Sequence, residues 1–138
     1  LLEKDEYIEF IVKPNKQISH EIKKYANRVN VIHFPRGSGK NYKVFAEEVY
    51  CDVLSLDHSY PQEFLSLLRE KKVTVQGNLH PKELLGEAKN VEEKTKEVLE
   101  KFKGNNHIFN LSHGILPKTK ISNIEKVIKV VRNYETSK

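Results

Sequence analysis

The stretch Asn106-His107-Ile108-Phe109-Asn110-Leu111-Ser112-His113-Gly114-Ile115-Leu116-Pro117 passes from a polar loop through a short apolar run into a glycine-containing turn. The run Ile108–Leu111 reads as a strand, and His113 stands where that strand ends. In a parallel α/β protein, side chains at the carboxyl ends of strands line the active-site face.

The same unit recurs upstream. Val31–Phe34 is a short β-branched run closed by Pro35-Arg36-Gly37-Ser38-Gly39. Asp52–Leu56 ends at Asp57-His58, and Val73–Gln76 is a third strand. Helical patterns separate them. Asp5–Val12 carries Ile8, Ile11 and Val12 on one face, and Pro14 interrupts or restarts it before Gln17–Arg28. Tyr42–Val49 and Pro61–Glu70 are helical, with Pro61 suited to a first turn. After a break at Gly86, Asn90 with Glu93 forms a capping box for a helix that buries Val91, Val98 and Phe102. Ser122 with Glu125 does the same for a last helix whose apolar face is Ile124, Val127, Ile128 and Val131.

Strands separated by helices run parallel, with right-handed crossovers. The expectation is one α/β domain over 1–138, built from four strand–helix repeats. Four such repeats are half of a (β/α)8 barrel. An open doubly wound sheet fits the pattern equally well.

Composition sets the bounds. The chain has 138 residues, of which 38% are hydrophobic and 31% charged, the size of one ordinary domain. No apolar run approaches the roughly 18 residues of a membrane span, so no membrane partner is expected. The acidic start Leu1-Leu2-Glu3-Lys4-Asp5-Glu6 is no secretory signal. The absence of Met suggests a piece of something larger. The single cysteine, Cys51, excludes an internal disulfide framework and suits a reducing cytoplasm. It reads as a small buried residue rather than a nucleophile. The net charge is +5, but Lys alternates with Glu, as in Glu92-Glu93-Lys94 and Glu97…Lys101. Such faces are solvated, and without a basic-aromatic module no nucleic acid partner is expected.

Within Asn106–Pro117, the residues His107–Ile115 resemble the H-I-F-N-L-G-H-G-I strand of the uroporphyrinogen decarboxylase family. Thr74-Val75-Gln76-Gly77-Asn78-Leu79-His80-Pro81 resembles its Q-G-N-L-D-P. Val31-Ile32-His33-Phe34-Pro35-Arg36-Gly37 is similar to its P-V-I-x-F-P-R-G, and Cys51–Asp57 to its A-D-x-x-x-L-D. Phe10-Ile11-Val12-Lys13-Pro14 resembles the preceding helix. The resemblance implies the C-terminal half of a TIM (β/α)8 barrel, strands five to eight. It implies decarboxylation of uroporphyrinogen III, a polyanionic tetrapyrrole, to coproporphyrinogen III in porphyrin and haem biosynthesis, with no cofactor and no metal. It further implies a homodimer, or pairing with a missing N-terminal half. The family's essential Asp and carboxylate-binding Arg residues lie in that other half, so no catalytic residue is assigned here and this chain alone is expected to be inactive. One substrate-binding residue carries over, His113, to contact a substrate carboxylate or assist proton transfer. Three positions depart from the pattern: Ser112 replaces the Gly before that histidine, adding bulk beside the pocket, His80 replaces Asp, and His58 stands where Trp is usual.

Other readings compete. Arg36–Asn41 lacks the Walker spacing, because Phe34 and Asn41 occupy its Gly and Ser/Thr places, although a looser anion-binding turn remains open. His33, His58, His80 and His113 all lie in or just after strands, where a barrel would bring them together as metal ligands. The metal-dependent corrinoid methyltransferase barrels use His-x-Cys plus a later Cys, a set this chain lacks. A non-catalytic remnant, or a half-barrel that serves in assembly, is the alternative to an enzyme.

Overall fold

The computed structural model describes residues 2–136. The chain opens with α1 (Lys4–Tyr7), a wide helical turn at Ile8–Val12, and α2 (Lys13–Tyr25), which follow one another without interruption. Pro14 explains the wide turn. Its ring would strike the carbonyl four residues back, and it has no N–H to donate. The backbone opens instead, so that the Lys13 N–H reaches the Ile8 carbonyl five residues away. Pro14 therefore loosens the helix without ending it, and the helix stops at Tyr25 rather than Arg28.

The sheet comprises β1 (Ile32–His33), β2 (Val53–Ser55), β3 (Thr74–Leu79) and β4 (His107–Leu111). All neighbouring pairs are parallel. After them come α3 (Tyr42–Glu48), α4 (Phe64–Glu70), α5 (Ala88–Lys101) and α6 (Ile121–Thr136). The order across the sheet is β1-β2-β3-β4. A doubly wound sheet reverses its order at a switch point, whereas a barrel adds each strand beside the last. The sequential order is therefore that of half a (β/α)8 barrel, which resolves the two alternatives.

Register separates the two faces. His33, Leu54, Val75 and His107 align across the strands. Leu54 and Val75 pack into a core with Tyr42, Phe45, Phe64, Leu68 and Phe102 beneath the helices. A second cluster, Leu79, Leu84, Val91 and Val127, joins β3 to α5 and α6. Ile32 and Ile108 stand on the outer strands β1 and β4, 53% and 43% exposed.

Local capping differs from the sequence expectation. Helix α5 starts at Ala88 with Glu87 before it, and Asn90 lies inside its first turn. Ser122 lies inside α6, which begins at Ile121. The next residue, buried Asn123, makes the polar connection, donating to the carbonyls of Leu84 and Gly86 at 2.9 and 3.0 Å. That tie anchors α6 to the loop before α5. Pro61 sits in a turn ahead of α4, its carbonyl accepting from Phe64 N–H. On α6, Val130 is buried and Ile128 is 45% exposed.

Candidate functional site at the carboxyl ends of the strands

Asp57 directly follows β2, and its side chain is almost wholly buried. Its Oδ2 accepts from Gly37 N–H at 2.6 Å. Its Oδ1 accepts from the backbone and hydroxyl of Ser59 at 2.7 and 2.6 Å. Burial pushes the carboxyl up, but the donors at Ser59 and Gly37, helped by His58, outweigh it and hold it below its ordinary value. Gly39 N–H is also taken, by Ser59 Oγ at 3.3 Å. The glycine-rich turn after β1 thus does bind an anion, and the anion is the chain's own Asp57. Gly37 has φ +77°, which suits it to present its N–H there.

The Asn78 side chain donates to the Asp57 carbonyl at 2.9 Å and joins the end of β3 to the end of β2. Gly77, before it, is obligatory for space: a Cβ there would lie 2.9 Å from the Leu56 carbonyl oxygen. The close approach of β2 and β3 at this point needs a residue without a side chain.

The strand-end histidines divide. His58, His80 and His113 converge, with ring centroids 4.7 Å apart for the first pair and 5.8 Å for the second. His33 does not join them. It points under the helical layer, bonded to Ser19 Oγ at 2.7 Å and edge-on to Phe45. The reason is register: His33 falls on the same side of the sheet as Leu54, one residue out of phase with the open face. Among the described residues, no group of three or more His, Cys, Asp or Glu side chains is placed to hold a metal ion.

His80 Nδ1 accepts the Lys82 N–H at 3.1 Å and so starts the short helical turn Pro81–Leu85. Burial, then the neighbouring His58 and His113, lower its pKa. His113 Nδ1 lies 3.0 Å from the Gly114 carbonyl oxygen. A cleft of about 300 Å³ opens beside them, lined by His58, His80, Glu83, Lys94, Glu97 and Lys101. A larger one of about 410 Å³ is lined only by residues of α5 and α6.

Three further side chains complete the description. Ser112, whose extra bulk the family comparison sets beside the pocket, is fully buried; its N–H donates to the Leu79 carbonyl and its hydroxyl has no partner among the described residues. Burial pushes the Cys51 thiol up to about 11, which leaves it an inert core residue. His107, which precedes the expected strand Ile108–Leu111 and opens β4, stacks on Phe102 and bonds the Gly77 carbonyl.

The family model described as "Uroporphyrinogen decarboxylase (URO-D)" matches residues 1–134. The chain belongs to the uroporphyrinogen decarboxylase family. It is 42% identical over 135 residues to the uroporphyrinogen decarboxylase of Rickettsia bellii, covering 98% of this chain and 39% of that protein. It is 38% identical over 139 residues to the uroporphyrinogen decarboxylase of Orientia tsutsugamushi, covering 99% and 40%. The chain thus spans about two fifths of the length of these decarboxylases. Family membership and the sequential parallel sheet agree, since both describe strand–helix repeats that build a barrel by addition. No helix among the described residues is long and apolar enough to cross a membrane.

Proposed function

We propose that the chain acts as one unit that supplies strands five to eight of a barrel decarboxylating uroporphyrinogen III to coproporphyrinogen III, in haem biosynthesis in the cytoplasm. The observation that carries this reading is the match along nearly the whole chain to proteins named uroporphyrinogen decarboxylase. The chemistry requires a proton on a pyrrole ring to receive the electrons released as carbon dioxide leaves. It also requires donors for the carboxylates of the substrate. His113 would meet such a carboxylate, or assist the proton, from the end of β4.

The same reading has the chain inactive when taken alone. The open face of its sheet carries exposed Ile32 and Ile108, and its outer strands offer unpaired backbone groups. A second copy, or the part of the barrel that the relatives have and this chain does not span, would cover them. The deciding experiment incubates uroporphyrinogen III with the 138-residue chain, and then with a complementing half-barrel taken from a rickettsial relative. Coproporphyrinogen III is expected only from the combination, and with much less of it from His113→Ala. Product from the chain alone above the His113→Ala background would overturn the claim of inactivity. No product from a soluble, assembled combination would overturn the decarboxylase reading.

A further inference from the structure

We infer that Lys101 is a site of covalent modification, at which an acyl thioester transfers a short acyl group to the side-chain amine. The site is independent of the decarboxylase reading above.

Glu97 and Lys101 stand on α5 at the i,i+4 spacing where opposite charges meet. In the fold that pair does not form. Both carboxylate oxygens of Glu97 accept from Lys94 Nζ instead, at 2.9 and 2.7 Å. Lys101 turns the other way. Its Nζ lies 4.8 Å from the centre of the Tyr60 ring and 5.8 Å from that of Phe102. Among the described residues it has neither an ion-pair partner nor a hydrogen-bond partner.

The seat under the amine is apolar. Tyr60 and Phe102 are both buried. Burial pushes the Tyr60 phenol up to about 12, so this ring supplies no phenolate as a counter-charge. Ring faces attract an ammonium, but they also keep water from it. Burial lowers the pKa of Lys101, so the loss of water decides. The charges around the cleft do not reverse this. From α5, Lys94 neutralises Glu97; His58 and His80 come from the strand ends, and Lys82 and Glu83 from the turn after β3.

Desolvated lysine amines without an acidic partner are the ones that serve as nucleophiles. Lys101 is also accessible, because its side chain is exposed and lines an open cleft of about 300 Å³. The unprotonated amine attacks the thioester carbonyl carbon, the C–S bond breaks, and the proton lost from nitrogen leaves on the thiol. The product is an amide. It carries no charge, so it rests on the two rings without the cost of a half-dehydrated ammonium.

The test treats the 138-residue chain with S-acetyl-N-acetylcysteamine, a small acetyl thioester, and follows each lysine by peptide mass mapping. Lys101 should acetylate at least about fivefold faster than exposed Lys89 and Lys120. Its rate should also level off at a lower pH than theirs, which accessibility alone does not produce. Lys94→Gln frees Glu97 to take Lys101 as its helical partner, and should bring Lys101 down to the rate of Lys89 and Lys120. Glu97→Gln removes a carboxylate that Lys101 does not use, and should leave its rate within about twofold. The side chains of Lys94 and Glu97 are 46% and 61% exposed, so neither exchange disturbs the core. A Lys101 rate no higher than that of Lys89 and Lys120 would overturn the proposal. So would a pH profile common to all three, an undiminished rate in Lys94→Gln, or a strongly raised rate in Glu97→Gln.

Discussion

Gly37 N–H lies 2.6 Å from Asp57 Oδ2, so the turn after β1 is clamped to the end of β2 by a buried carboxylate. Together with Ser59, it makes Asp57 an internal counter-charge for a glycine-rich turn that would otherwise be open to anions from outside.

That clamp is testable by Asp57→Asn. The amide keeps the shape but turns one acceptor oxygen into a donor facing a donor. A loss of about 1–3 kcal/mol is expected from urea unfolding. The sign with pH follows from the depressed carboxyl. Its contribution is fully present above the ordinary value of 3.8 and is lost as pH falls through its lower folded value. The acid limb of stability should therefore flatten in Asp57→Asn.

Histidines govern the milder range. Burial lowers the pKa of His33 and of His107, the latter opposed by its bond to Gly77. Both take a proton less readily in the fold than when unfolded. Their contribution is fully present above their ordinary value of 6.5 and falls as pH drops below it. Each can add at most about 1.4 kcal/mol per pH unit to that slope. Chemical unfolding between about pH 7.5 and pH 5.5 should show the decline, and His107→Gln should make it shallower.

Ser112 buries a hydroxyl with no partner among the described residues. Removing it with Ser112→Ala should stabilise the fold by about 1 kcal/mol, since an unsatisfied buried polar group carries a desolvation penalty of that order. A lowered thermal midpoint in Ser112→Ala would show that the hydroxyl is satisfied in solution.

Assembly provides the last check. Exposed Ile32 on β1 and Ile108 on β4 mark the outer strands. Sedimentation equilibrium at micromolar concentration is expected to give a species of at least twice 16.1 kDa. Ile108→Lys should shift it towards the monomer or leave it unfolded. A cooperatively folded monomer of the unmodified chain would show that the outer strands need no partner.

Much was legible from neighbours along the chain. Short β-branched runs alternating with amphipathic helices required parallel strands, and the motifs around Gln76–Asn78 and His107–Gly114 pointed to the family. These depend on local propensity and on the geometry of single elements, so a linear reading reaches them. The separation of His33 from the other histidines and the pairing of Gly37 with Asp57 became visible only in three dimensions. Each depends on which residues of distant segments share a face and a register. A one-residue change of phase along a strand moves a side chain from the open face to the helical core. Phase is settled by the packing of the whole sheet, which is why the sequence by itself determined the parts and the tertiary structure decided which of them meet.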